Sequence, residues 1–204
     1  MNSHYFSIIF LILTALLSVV QSAQHGVDIS TAVTESNFAC MKTKGYTYVI
    51  VRAYRSSGSV DTNAVPNIQA ASAAGLSPIG AYMFPCYSCG NPAQQMTDTI
   101  TALTSSGVTL LRTEDWNPTN RTLLEEQRTR ERQATSTSLI VNKIWLDIEG
   151  TSYWSSNTED NVDFITTLIS TAKASGVALG MYTSESQWQP ITGDSSCCSS
   201  LPLW

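Results

Sequence analysis

Four times along the chain a helical stretch ends in a glycine and passes directly into an apolar strand. Lys44-Gly45 precedes Tyr46 to Tyr54, Ala74-Gly75 precedes Ser77 to Pro85, Ser106-Gly107 precedes Val108, and Ser175-Gly176 precedes Val177 to Thr183. Glycine is favoured just past a helix end, where the backbone turns left-handed. Continuous Val, Ile and Tyr strands alternating with helices require a parallel sheet covered by helices. The pattern therefore predicts an α/β fold, a TIM-like (β/α) barrel with its site at the C-terminal ends of the strands.

The spacing also shows where the repeat is interrupted. The glycines stand at 45, 75, 107 and 176, giving steps of 30, 32 and 69. Leu111 to Asn142 carries 10 of the chain's 27 charged residues, including five of its seven arginines. Removing that stretch joins Leu110 to Lys143 and restores a step of 37. Residues 111–142 are therefore read as an insertion, or as a translated non-coding stretch. Its centre, Thr122 to Thr135, is a charged run suited to a solvated helix or to disorder. Asn120-Arg-Thr122 is a glycosylation sequon.

The ends carry their own signals. Phe6 to Val20 is a nearly unbroken apolar run of 15 residues, short for a membrane span. It leads into Val20-Gln-Ser-Ala23, which suits cleavage after Ser22 or Ala23, although Met1 to Tyr5 offers only His4 as a basic group. Residues 1–22 are thus read as a signal peptide and 23–204 as one domain, secreted or held in a digestive or lysosome-like compartment. A membrane anchor is the alternative. Leu201-Pro-Leu-Trp204 reads as the start of another strand. A full barrel takes about 250 residues, so this one is expected to be incomplete at the C-terminus.

A net charge of −5 leaves no basic stripe for phosphates, which argues against nucleic acid. No second stretch is apolar enough to span a membrane, so a soluble monomer is expected after signal removal. Five cysteines, Cys40, Cys86, Cys89, Cys197 and Cys198, point to disulfides in a secreted protein and leave at least one without a partner in the chain. Cys86-Tyr-Ser-Cys89 is also the form of a redox pair or half a zinc site. With His25 the only histidine of the mature chain, no metal and no cofactor is expected.

Side chains alternate across a strand, so parity sorts them into two faces. Ile144, Leu146 and Ile148 should face the helices, with Trp145, Asp147 and Glu149 facing the interior. The same parity sends Val27 and Ile29, Val49, Val51 and Ala53, Ile79, Ala81 and Met83, and Val177, Leu179 and Met181 outward. It turns Asp28, Arg52, Tyr54, Tyr82 and Tyr182 inward, each late in its strand. Three carboxylates, one arginine and several tyrosines then share one mouth. Two neighbouring carboxylates walled by aromatics suit glycoside hydrolysis. Repulsion between Asp147 and Glu149 would leave Glu149 protonated as general acid. Gly80 and Gly180, two residues before Tyr82 and Tyr182, are expected to leave room for a ligand. Salt bridging of the acids to Arg52, or their solvation at the rim, is the purely structural alternative.

The motifs Gly26-Val-Asp-Ile-Ser30, Val51-Arg-Ala-Tyr54, Ala81-Tyr-Met-Phe-Pro85, Trp145-Leu-Asp-Ile-Glu-Gly150 and Gly180-Met-Tyr-Thr183 together resemble glycoside hydrolase family 25, in its nematode and amoebozoan lysozymes. The likeness runs from Gly26 to Leu110 and from Lys143 to Trp204. It implies hydrolysis of the β-1,4 bond after N-acetylmuramic acid in bacterial peptidoglycan, in defence or digestion. It also implies Glu149 as acid/base, Asp147 as orienter of the substrate's acetamido nucleophile, and Asp28 lining the same site. Tyr82, Tyr182, Arg52 and Tyr54 would bind substrate. The chitinase pattern D-x-D-x-E fails at Trp145. A non-catalytic sugar-binding protein would not need all three acids, and an inactive truncated homologue is the further alternative.

Overall fold

A computed structural model describes residues 25–113 and 139–204. Residues 1–22, expected to be a signal peptide, the sequon and the charged run at 122–135 lie outside the described residues.

The elements alternate as the repeat requires. Strand β1 (His25–Ile29) leads to helix α1 (Glu35–Thr43), and β2 (Tyr46–Arg55) is followed by a short return strand β3 (Ser59–Val60). Next come α2 (Ala64–Ala73), β4 (Ile79–Met83), α3 (Pro92–Thr104) and β5 (Val108–Leu110). After the undescribed stretch follow β6 (Leu139–Val141), β7 (Ile144–Asp147), α4 (Thr158–Ala174), β8 (Leu179–Tyr182) and α5 (Glu185–Thr192). The four repeat glycines, Gly45, Gly75, Gly107 and Gly176, all take positive φ at helix ends. Thr34 and Asn157 cap α1 and α4 by accepting from the amides of Asn37 and Glu159. Glu159 and Asp160 at the start of α4, and Lys173 at its end, complement the helix dipole.

The main sheet runs in the order β1-β2-β4-β7-β8, with every neighbouring pair parallel and β3 antiparallel on β2. Its helix-facing side is the core. Val49, Val51, Ala81, Met83, Ile144, Leu146 and Ile148 are buried there with Phe38, Ile68, Met96, Ile165 and Leu168 from the helices. Fully burying a side chain of this size contributes about 1.5–3 kcal/mol, so this layer dominates the stability of the domain. Outward parity therefore holds along these strands.

The barrel, expected to be incomplete, is not closed: among the described residues the main sheet is open, with edges at β1 and β8. Two other expectations change. The stretch assigned to an insertion at about 111–142 contains regular structure at its end. Leu139–Val141 is a strand pairing parallel with Val108–Leu110 in a separate two-stranded sheet, and Val141 is fully buried. Its three apolar residues were hidden behind the arginine-rich stretch that precedes them. Finally, strand β5 does not join the main sheet, because β4 pairs directly with β7. At the other end Leu203 forms an isolated parallel bridge with Met181 on β8.

Candidate active site

The parallel strands bring their C-terminal ends to one side, and the inward residues of β7 stand in the middle. Asp147 closes β7 opposite Tyr182 on β8, Trp145 pairs in register with Tyr82 on β4, and Tyr82 with Arg52 on β2. Asp28 sits across from Ile50, at the end of β1.

Below the acids the interior is filled. Trp145 Nε1 donates to the Tyr48 hydroxyl at 3.0 Å, and the Lys143 ammonium lies 4.9 Å from the Trp145 ring centre. Burial lowers Lys143 to about 8. A Cβ at Gly80 would come within 2.9 Å of the Tyr48 hydroxyl, and one at Gly180 would overlap the Trp145 ring. The two glycines thus make room for the protein's own aromatics, not for a ligand as their spacing suggested. Trp204 extends the packing, with ring centres 5.7 Å from Trp145 and 4.8 Å from Tyr182. A separate cavity of about 180 Å³, walled by Lys143, Lys173, Leu179 and Pro202, lies at the opposite ends of β7 and β8.

Above this floor Asp147 is only 6% exposed, and its Oδ1 has no hydrogen-bond partner among the described residues. Burial, then the charges of Glu149 and Asp28, push its carboxyl up to about 8. Repulsion between the two acids is mutual and does not choose which of them keeps the proton. Burial differs between the two acids, and it is the deeper Asp147 that is held protonated near neutral pH. Tyr82 is pushed up to about 12, first by burial; Arg52 opposes the shift, while Asp147 and Asp28 add to it. Tyr182 is also raised, by burial and then by Glu149, Asp147 and Asp28. These mutual effects place Asp28, Arg52, Tyr82, Asp147, Glu149 and Tyr182 within one electrostatic neighbourhood.

Arg52 is not the counter-ion of the paired acids. Its Nε bonds Asp61 Oδ2 at 2.7 Å, and an Nη group donates to the Ser30 carbonyl at 2.8 Å. Asp61, only 2% exposed, also accepts from the Asn63 amide. Parity reasoning missed Asp61, because it lies in the turn after β3. The Asp-x-Asn spacing signals a local turn, but nothing in it reveals the partner nine residues upstream.

Tyr54 does not belong to the site. The β2–β4 register shifts between Arg52 and Tyr54, so that Arg52 pairs with Tyr82 but Tyr54 with Met83, an outward residue. Tyr54 is 3% exposed in the core, and its hydroxyl feels burial and then Asp98 on α3. One irregular residue flips the remainder of the strand.

Cys86 and Cys89 form a disulfide beyond β4, while Cys40, Cys197 and Cys198 are free. Among the described residues no group of His, Cys, Asp and Glu is arranged to hold a metal ion, and no helix is long and apolar enough to cross a membrane.

Comparison with known proteins converges on one family. The family model described as Lysozyme-like protein 1 matches residues 20–113 and 125–204. A probable GH family 25 lysozyme of Dictyostelium discoideum is 38% identical over 93% of this chain and 74% of its own length. Lysozyme-like protein 5 of Caenorhabditis elegans is 34% identical over 96% of this chain and 77% of its own. Among solved structures, a muramidase from Trichobolus zukalii superposes with a TM-score of 0.60 at 20% identity, covering 89% of this chain and 75% of that one. A family 25 glycosyl hydrolase from Bacillus anthracis gives 0.60 at 13% identity, over 91% and 71%. At these identities the two structures speak for the fold alone.

Proposed function

The chain belongs to the glycoside hydrolase family 25 lysozymes, and from that membership we propose that it cleaves the β-1,4 bonds of bacterial peptidoglycan at the mouth formed by Asp28, Asp147 and Glu149. The observation that carries this reading is Asp147: a carboxyl buried at a strand end with an unpartnered oxygen, beside two further acids. Burying such a group costs free energy unless a ligand or a reaction uses it.

In this reading Glu149, closer to solvent than Asp147, protonates the leaving oxygen and later activates water. Asp147 accepts from the substrate acetamido N–H, turning that group's carbonyl oxygen toward the sugar carbon. The acetamido group is the nucleophile, so no covalent bond to the enzyme forms. The pair then works with one proton between them. In the empty site burial keeps it on Asp147; the incoming N–H and the positive charge growing on the sugar favour ionised Asp147 and leave the proton to Glu149. Arg52, fixed by Asp61, supports Tyr82, and Tyr82 and Tyr182 offer ring faces and hydroxyls to the sugars.

Secretion is part of the proposal. The apolar run at residues 6–20 and the Cys86–Cys89 disulfide support it. Clearing of a peptidoglycan suspension, with Glu149→Gln as control, tests the function. We expect lysis by the parent and a loss of at least about a hundredfold in the variant, in line with removal of a general acid. A Glu149→Gln protein that lyses at the parental rate would sink the assignment.

A further inference from the structure

Glu149 stands two residues beyond Asp147, the last residue of β7, so sheet pairing does not hold its peptide groups. Side chains hold them instead. Trp154 Nε1 donates to the Glu149 carbonyl oxygen at 3.0 Å. On the other side of the residue, Gln187 Oε1 accepts from the Gly150 amide at 2.7 Å. One residue earlier, Thr183 Oγ1 donates to the Ile148 carbonyl at 2.8 Å, and the Ile148 amide donates to the Tyr182 carbonyl at 2.9 Å. The chain then reverses at once. Gly150 has φ 66°, and a Cβ there would meet Tyr153 Cδ2 at 2.7 Å.

The two supports are themselves anchored. The Trp154 ring is 8% exposed and packs 6.1 Å from both Tyr87 and Phe164. Gln187 lies in the first turn of α5, where Ser184 accepts its amide at 3.0 Å. A core indole and a helix-borne amide thus grip the main chain on either side of one carboxylic acid.

We propose that Trp154 and Gln187 are positioning residues that fix the Glu149 backbone and so set where its carboxyl meets the glycosidic oxygen. The inference rests on Glu149 as the acid/base of the proposed reaction. Neither residue touches the substrate; both act through Glu149. Catalysis by a held acid depends on near-attack geometry, so loosening its backbone lowers turnover more than binding.

Three variants of the full chain test this. Trp154→Phe keeps an aromatic ring in the core and removes the N–H donor together with part of the ring volume. Gln187→Ala removes the acceptor, and Gln187→Glu restores one. We expect kcat to fall about tenfold in Trp154→Phe and in Gln187→Ala, with KM within about twofold of the parent. Gln187→Glu should recover most of kcat, with its pH profile displaced by the added carboxylate. An activity-independent readout accompanies these rates. The Gly150 amide should exchange with solvent about tenfold faster in Gln187→Ala, and the Glu149 carboxyl carbon should give a broadened or doubled NMR signal in both weakened variants. Folded Trp154→Phe and Gln187→Ala proteins with parental kcat, parental Gly150 exchange and a single sharp Glu149 signal would overturn the proposal. If the parent fails to clear peptidoglycan, the hydrolase reading falls, while the exchange and carboxyl signals still decide whether these residues hold Glu149.

Discussion

Asp147 lies deeper than its neighbour Glu149, and in the proposed reaction that depth sets the pH range of activity. Asp147 is held up to about 8, chiefly by burial, so the acid pair keeps one proton below that pH and loses it above. A pair without a proton has no general acid. The expected outcome is that kcat/KM declines as pH rises through about 8, read from initial rates on a soluble peptidoglycan fragment; a flat profile to pH 10 would contradict it. At Arg52, Asp61→Asn should weaken the clamp on the guanidinium and raise KM several-fold, with kcat changed less. Equal losses in kcat and KM would argue against that role. Period-two alternation made Asp28, Arg52, Tyr82, Asp147 and Tyr182 legible in the sequence, since each sits on an unbroken run of its strand, and Glu149 followed from the same parity carried two residues past the end of β7. It failed at Tyr54, because the register shift after Arg52 depends on the partner strand β4 and leaves no mark on β2 itself.

Elements formed where local and long-range preferences agreed. Helix α4 buries Phe164, Ile165, Leu168, Ile169 and Ala172, a single stripe at helical spacing against the sheet. The repeat that ends in Gly176 announced both that helix and the strand after it. Strands β5 and β6 were harder to read. They are three residues each and pair with one another across the charged stretch, so neither looks like a core strand in isolation. The glycines within strands were misleading for a related reason. Their vacancies are real, but the tenants are Tyr48 at Gly80 and Trp145 at Gly180, each from a neighbouring strand. Gly180→Ala would push a methyl group into that indole. We expect a loss of about 1–3 kcal/mol in urea unfolding, the usual cost of overpacking, and a parental midpoint would show the ring has space to retreat.

Across the whole domain, the acid that serves the proposed reaction works against the fold. Between its ordinary value of 3.8 and its native value of about 8, Asp147 binds more proton in the folded than in the unfolded chain, so stability falls as pH rises through that window. Asp147→Asn removes the penalty. The variant should unfold at higher temperature than the parent at pH 7, by at most about 4 kcal/mol of added stability, and match it near pH 4. Its lytic activity should be largely lost. A variant less stable than the parent at pH 7 would mean that Asp147 is better solvated than its surroundings indicate. The open sheet has a further consequence. Trp145 touches Trp204, and Trp204 touches the mouth residue Tyr182. If substrate settles on Tyr182 as proposed, it perturbs two coupled indoles, which would give the protein a native fluorescence gauge of occupancy without any added dye.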